Sequence, residues 1–166
     1  MPDLTPVEQL QPSLLDRLTD DEPEVKVESR DKRVLSVQRL REAVLRDLAW
    51  LLNSGNHDGA DQFEGYEHVE SSVLNFGMRD VTGGTASGLK LSELEERIKL
   101  AVQRFEPRIM PDELEVRAKL PDHGGTGNQL MIEIEGDLWA NPLPEHLFLH
   151  TEIDLETGQF KVEKGR

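Results

Sequence analysis

The chain has 166 residues, of which 33 are acidic and 19 are lysine or arginine, for a formal charge of -14. A surface of that sign repels DNA and anionic membranes, which are bound through clusters of basic side chains, so nucleic acid is excluded as a partner and a basic protein surface is not. The absence of cysteine removes disulfides, thiolate metal sites and a cysteine nucleophile, and aromatic content of 5% requires an aliphatic core.

Met1 to Pro12 carries three prolines and reads as an extended arm. Asp3, Glu8 and Asp16 interrupt any apolar run, so no signal peptide is visible; no stretch reaches transmembrane length, and a cytoplasmic location is expected. Ser13 is placed to cap a short helix, Leu14 to Leu18, which is too short to stand alone and has to dock on something. Thr19 to Lys32 is mostly charged and reads as a solvated linker. Residues 1–32 are thus expected to form an arm, and residues 33–166 a single domain.

A first long helix is predicted from about Ser36 to Asn53, because Val37, Leu40, Val44, Leu48, Leu51 and Leu52 recur at three- and four-residue steps. Ser36 fits the N-cap and Gly55 the C-terminal stop. Arg39, Arg41, Glu42, Arg46 and Asp47 are expected on the wet side, with Trp50 widening the packed face. Residues 54–90 show no sustained period apart from Val73-Leu74-Asn75-Phe76-Gly77, and a connection of this length usually carries function or is partly disordered.

The second long helix is expected to open on a capping box, Ser92-Glu93-Leu94-Glu95, and to bury Leu94, Ile98, Ala101, Val102 and Phe105. It stops at Glu106-Pro107-Arg108. Proline lacks an N–H and forces the preceding residue out of helical geometry. That leaves a carboxylate at the negative end of the helix dipole, where a cation would be the stabilising choice. Its compensating charge is Arg104, Arg108 or a cationic group on another protein. As an incidental surface ion pair, the tripeptide would contribute only about 0 to 1 kcal/mol.

Beyond the proline the period becomes two. Leu114, Val116, Ala118 and Leu120 alternate with Glu113, Glu115, Arg117 and Lys119; Leu130, Ile132, Ile134 and Leu138 alternate with Glu133, Glu135 and Asp137. Pro121 to Asn128 reads as a long hairpin loop. A third strand carries Leu147, Leu149, Thr151, Ile153 and Leu155, and Glu156-Thr157-Gly158 turns it into a fourth at Phe160 and Val162. The fold class is α+β, with two or three helices packed on one face of a small antiparallel sheet formed mainly by the C-terminal half.

Three chemical readings fall short. A glycosidase needs one carboxylate at raised pKa and a second at fixed separation, and the acids that can be placed (Glu113, Glu115, Glu133, Glu135) lie on solvated strand faces. His146 and His150 would be roughly 13 Å apart along a strand, too far to share an ion. Gly83 to Lys90 resembles a phosphate-binding loop, but Leu89 stands where the lysine belongs. No cofactor or metal site is expected.

Taken in order, the segments 12–21, 44–53, 72–77, 105–108 and 148–158 closely resemble the TssE family of type VI secretion baseplate subunits, relatives of the contractile-phage baseplate protein once labelled a lysozyme. The resemblance covers nearly the whole chain. It implies a structural subunit that joins each baseplate wedge with TssF and TssG, contacts the contractile sheath subunits, and works in the cytoplasm in an assembly docked at the inner membrane. The family signature maps onto Glu106, Pro107 and Arg108 and is associated with initiating sheath assembly, so these are the expected partner-binding residues. The resemblance also implies a sheet edge on which sheath strands add.

The resulting expectation is a non-enzymatic protein in which Arg108→Ala leaves folding nearly intact and impairs sheath assembly. The alternatives are a lysozyme-like peptidoglycan hydrolase and a soluble adaptor binding a single regulatory partner.

Overall fold

A computed structural model of the protein describes residues 13–19, 23–24, 37–57, 63, 65–66, 68–78, 81, 90–120, 129–140 and 143–164. Helices α1 (Leu14–Leu18), α2 (Val37–Asn53) and α3 (Leu91–Phe105) precede strands β1 (Glu115–Lys119), β2 (Gln129–Leu138), β3 (Glu145–Asp154) and β4 (Phe160–Lys164). Single 3-10 turns lie at Val73–Asn75 and Pro111–Glu113. The strands form an antiparallel meander in the order β1-β2-β3-β4.

The period-two alternation places Leu130, Ile132, Ile134 and Leu138 of β2 beside Leu147, Leu149 and Ile153 of β3 on one face. The apolar stripes of α2 (Leu40, Val44, Leu48, Leu51, Leu52) and α3 (Leu94, Ile98, Ala101, Val102) cover it, giving one aliphatic core. Gly136 stands where the β2 row would need another large side chain, and a Cβ there would lie 3.1 Å from Cγ2 of Ile109, which fills that space. The expected α+β arrangement, helices on one face of a C-terminal sheet, is the observed one.

Several local expectations are corrected. The capping box does not form: α3 begins two residues early, after Lys90, with no side-chain cap, and Glu95 instead accepts the Ala118 N–H of β1 at 2.7 Å. Gly55 does not end α2 by a left-handed turn; the last carbonyls are taken by Asn53 Nδ2 (to Ala49 O, 2.8 Å) and Ser54 Oγ (to Trp50 O, 2.7 Å). Trp50 is exposed, with the Arg46 guanidinium 5.1 Å from its ring centroid, and Leu120 is exposed beyond the end of β1. Ser36, the arm to Pro12, the loop 121–128 and the glycine-rich stretch 82–88 lie outside the described residues, as does the boundary at 32 and 33.

The two sheet edges differ. On β1, Glu95 occupies the outward N–H of Ala118. On β4, both outward groups of Phe160 are taken by the side-chain amide of Asn53, which donates to its C=O and accepts from its N–H at 2.9 Å each. Because outward and paired residues alternate along an antiparallel strand, Val162 and Lys164 also direct their backbone groups away from β3.

Candidate functional site

The helix stop at 106–108 is built as a turn. Glu106 caps α3 with φ -123 and ψ 74, donating its N–H to Val102 O at 2.8 Å, and Ile109 N–H reaches back to Glu106 O at 3.2 Å. Pro107 occupies the position of this turn for which its fixed φ is suited. The chain then runs beside the end of β2: Trp139 N–H donates to Arg108 O at 2.7 Å and Met110 N–H to Asp137 O at 2.8 Å. The corner is therefore joined to both α3 and the sheet.

Glu106 is 3% exposed, the single buried carboxylate among the described residues. Arg108 compensates it; Arg104 instead pairs with Glu70 at 3.0 Å. Arg108 donates its backbone N–H to Glu106 Oε1 at 3.2 Å and its Nε to the same oxygen at 2.6 Å, while Nη2 reaches Oε2, a two-pronged fork on one carboxylate. Nη2 also donates to Asp47 Oδ2 of α2 at 2.6 Å. Burial works to lower the Arg108 pKa and is outweighed by Glu106 and then Asp47, which hold the guanidinium firmly charged.

The network continues. Arg46 Nε donates to Asp47 Oδ1 at 2.9 Å, and Arg46 Nη1 to Asp16 Oδ1 of α1 at 2.7 Å. Five groups of alternating charge thus run from the corner across α2 to α1: Glu106, Arg108, Asp47, Arg46 and Asp16. For Asp16, burial acts to raise the pKa, and hydrogen bonds from Ser13 and Arg46 reverse it, leaving the group below its usual value. Burial likewise acts to lower the Arg46 pKa and is outweighed by Asp16 and Asp47.

This arrangement changes the expectation drawn from the tripeptide. The Glu106 carboxylate is buried and bonded to Arg108, while Arg108, 24% exposed, is the side of the pair that solvent reaches. Arg46 and Asp47, expected on the wet side, are half-buried and tie the corner to α1. Helix α1 docks through Asp16 rather than through its leucines, since Leu14 and Leu18 are more than 70% exposed.

The other candidate chemistry stays apart. Glu133 pairs with Lys119 at 2.6 Å and Glu115 with Arg117, on the outer sheet face. His146 lies between Asp137, at 3.0 Å, and Glu135, at 3.5 Å. Among the described residues, no group of three or more metal-ligating side chains comes together, and no helix is long and apolar enough to cross a membrane.

Residues 38–143, well over half of the chain, match the protein family described as baseplate wedge protein gp25. The chain belongs to the baseplate wedge protein gp25 family. No curated protein and no solved structure matches it. The gp25 region runs from α2 through β2 and contains Arg46, Asp47 and the whole corner at 106–108; Asp16 lies before it. This family membership gives a baseplate role and agrees with the TssE resemblance, whose segments supply each member of the network: Asp16 from 12–21, Arg46 and Asp47 from 44–53, Glu106 and Arg108 from 105–108. Sequence reasoning reached the corner and missed Asp16, Arg46 and Asp47. An available signal was Asp47, which stands four residues after buried Ala43 and four before buried Leu51 and so lies on the flank of the apolar stripe rather than opposite it.

Proposed function

We propose that this gp25-family protein is a TssE-type structural subunit of a type VI secretion baseplate, without catalytic activity. It joins the wedge with TssF and TssG and helps initiate the contractile sheath. It works on the cytoplasmic side, in an assembly docked at the inner membrane. The observation that carries this reading is the buried pair at 106–108, bound on one side to α2 and α1 and on the other to the end of β2. A corner held in this way transmits position between an arm and a sheet. In this role Glu106 and Pro107 fix the geometry, and Arg108 is the group that meets a partner.

Strand addition, in which backbone groups supply affinity, fits the β4 edge better than the β1 edge. Glu95 blocks β1 at Ala118, whereas the outward groups of Val162 are directed to the side of the sheet that carries no further strand among the described residues. A sheath strand would pair from Val162 toward the C-terminal end of β4, because the Asn53 amide already occupies Phe160.

The test is co-purification of the tagged protein from cells that also express TssF, TssG and the sheath protein. Two variants run beside it: Glu106→Ala/Arg108→Ala, which removes both buried charges together, and Val162→Pro, which removes an N–H the internal ladder does not use. Retention of TssF and TssG by all three forms, with sheath lost from both variants, is the expected result. An intact protein that brings down none of these partners would overturn the assignment, and sheath retained by Val162→Pro would remove β4 as the addition edge.

A further inference from the structure

Arg108 is the group assigned to meet a partner, yet in the folded protein two carboxylates already hold it. Glu106 accepts its Nε at 2.6 Å and its backbone N–H at 3.2 Å, and Asp47 Oδ2 accepts Nη2 at 2.6 Å. The two holds are unequal. Glu106 is buried and belongs to the turn itself, so breaking its pair leaves an uncompensated charge inside the corner. Asp47 stands on α2 with 25% of its side chain exposed and serves two cations, Arg108 through Oδ2 and Arg46 through Oδ1. A new carboxylate reaches Arg108 most readily in the place of Asp47.

How firmly Asp47 serves Arg108 depends on Arg46. Arg46 Nη1 donates to Asp16 Oδ1 of α1 at 2.7 Å and Nε to Asp47 Oδ1 at 2.9 Å, while the Trp50 ring, 5.1 Å away, keeps the guanidinium over α2. With Asp16 present, Arg46 is divided between two carboxylates. Without it, Asp47 is the one carboxylate left to Arg46 among the described residues. A guanidinium fork suits both oxygens of one carboxylate, so Arg46 then competes for the Oδ2 that Arg108 occupies. The direct charge interaction has the same sign, since Asp16 is negative and Arg108 positive.

The element that carries Asp16 is weakly secured. A helix of five residues has no stability of its own. Helix α1 turns Leu14 and Leu18 to solvent and touches the rest of the described chain only slightly. Its polar tie to the domain is the Asp16 carboxylate, whose second oxygen accepts the Ser13 hydroxyl at 2.6 Å. Segments with few buried apolar contacts open at low free-energy cost, so docked and undocked forms of α1 differ by little.

We infer that α1 is a latch on Arg108. Docked, it divides Arg46 and so keeps Asp47 on Arg108; undocked, it leaves Arg46 to Asp47 and frees Nη2 of Arg108 for a partner carboxylate. Engaging the exposed leucines of α1 lifts Asp16 with them and opens the corner. Coupling of this kind is reciprocal, so loss of Arg108 loosens α1 in turn. The inference rests on the reading of Arg108 as the group that meets a partner, and supplies its regulation.

The experiment uses the full-length, isotope-labelled protein alone, so its outcome is separate from the co-purification that tests the partner role. Water exchange of the Arg108 guanidinium protons is compared between the intact protein and Asp16→Asn, which removes the charge at nearly constant size. Exchange should be about threefold faster in Asp16→Asn, the size that a partly exposed ion pair supports, with Arg97, paired with Glu93 on α3, unchanged as the internal control. In Asp47→Asn exchange should be fast already, and adding Asp16→Asn should leave it there, because the shared carboxylate is gone. In the reverse direction Glu106→Gln/Arg108→Gln leaves no buried charge unpaired; it should move the Leu14 to Leu18 amides toward their Asp16→Asn positions while the amides of β2 and β3 stay in place. Arg108 exchange that Asp16→Asn does not change, an equal acceleration with Asp47→Asn in place, or α1 amides indifferent to the double variant would each overturn the latch.

Discussion

Arg108→Ala tests the buried pair directly. In the folded protein Glu106 is 3% exposed and accepts hydrogen bonds from Arg108 through its backbone N–H, Nε and Nη2. Truncating Arg108 leaves that carboxylate buried at the negative end of α3, with the unfavourable helix dipole still acting on it. Removing one partner of a buried pair costs about 3 to 5 kcal/mol. Arg108 is 24% exposed, so water entering the vacated space recovers part of this, and about 2 to 4 kcal/mol is expected. Against a total stability of about 5 to 15 kcal/mol, the variant remains folded and is clearly weakened. With a urea slope of about 2 kcal/mol per molar, the unfolding midpoint should fall by about 1 to 2 M at unchanged slope. Glu106→Ala/Arg108→Ala should be less destabilised than Arg108→Ala although it lacks more atoms, since no charge is left unpaired. A midpoint change below about 0.3 M for the single variant, or a double variant whose loss equals the sum of the singles, would refute the reasoning.

Thr151 lies in the core at 1% exposure with its hydroxyl unpartnered, so Thr151→Val should stabilise by about 1 kcal/mol, read as a rise of about 2 to 4 °C in the melt. Burial of Asp16 is outweighed by hydrogen bonds from Ser13 and Arg46, which hold its pKa below its ordinary value, so the stability it lends is present above its unfolded pKa and lost as pH falls through the folded one. The amide shifts of Leu14 to Leu18 should accordingly hold down to about pH 4 and change below it, and Asp16→Asn should give the low-pH shifts at every pH. Gly77→Ala forces a Cβ against Ser54 O and should destabilise by more than about 2 kcal/mol, with faster hydrogen exchange at the Met78 amide as its local sign.

Much of this fold was legible in the sequence because its elements are amphipathic with clean periods. The spacing of Leu40, Val44, Leu48 and Leu51 and the alternation from Leu130 to Leu138 record which side meets the core. What could not be read was the use of single polar side chains. Ser92 and Glu95 have the letters of a capping box, yet Glu95 is worth more to the structure as an acceptor for a strand edge, a contact across 23 residues that no local pattern announces. The corner at 106–108 was conspicuous because a carboxylate before proline contradicts the helix dipole. Its partners were not, since Asp47 is 61 positions from Arg108 and Asp16 is 30 from Arg46, and each alone looks like a solvated surface charge.

The contact between Asn53 and Phe160 joins residues 107 apart in sequence. Its two hydrogen bonds form only when the last turn of α2 and the first residue of β4 are both in place, so closing it carries a large chain-entropy cost and belongs late in folding. The β1-β2-β3 meander, whose connections are local, assembles without it. Until β4 docks, the folding chain exposes the edge of β3 from Leu149 to Ile153, and the interval before that closure is when chaperone protection against edge-to-edge aggregation matters most.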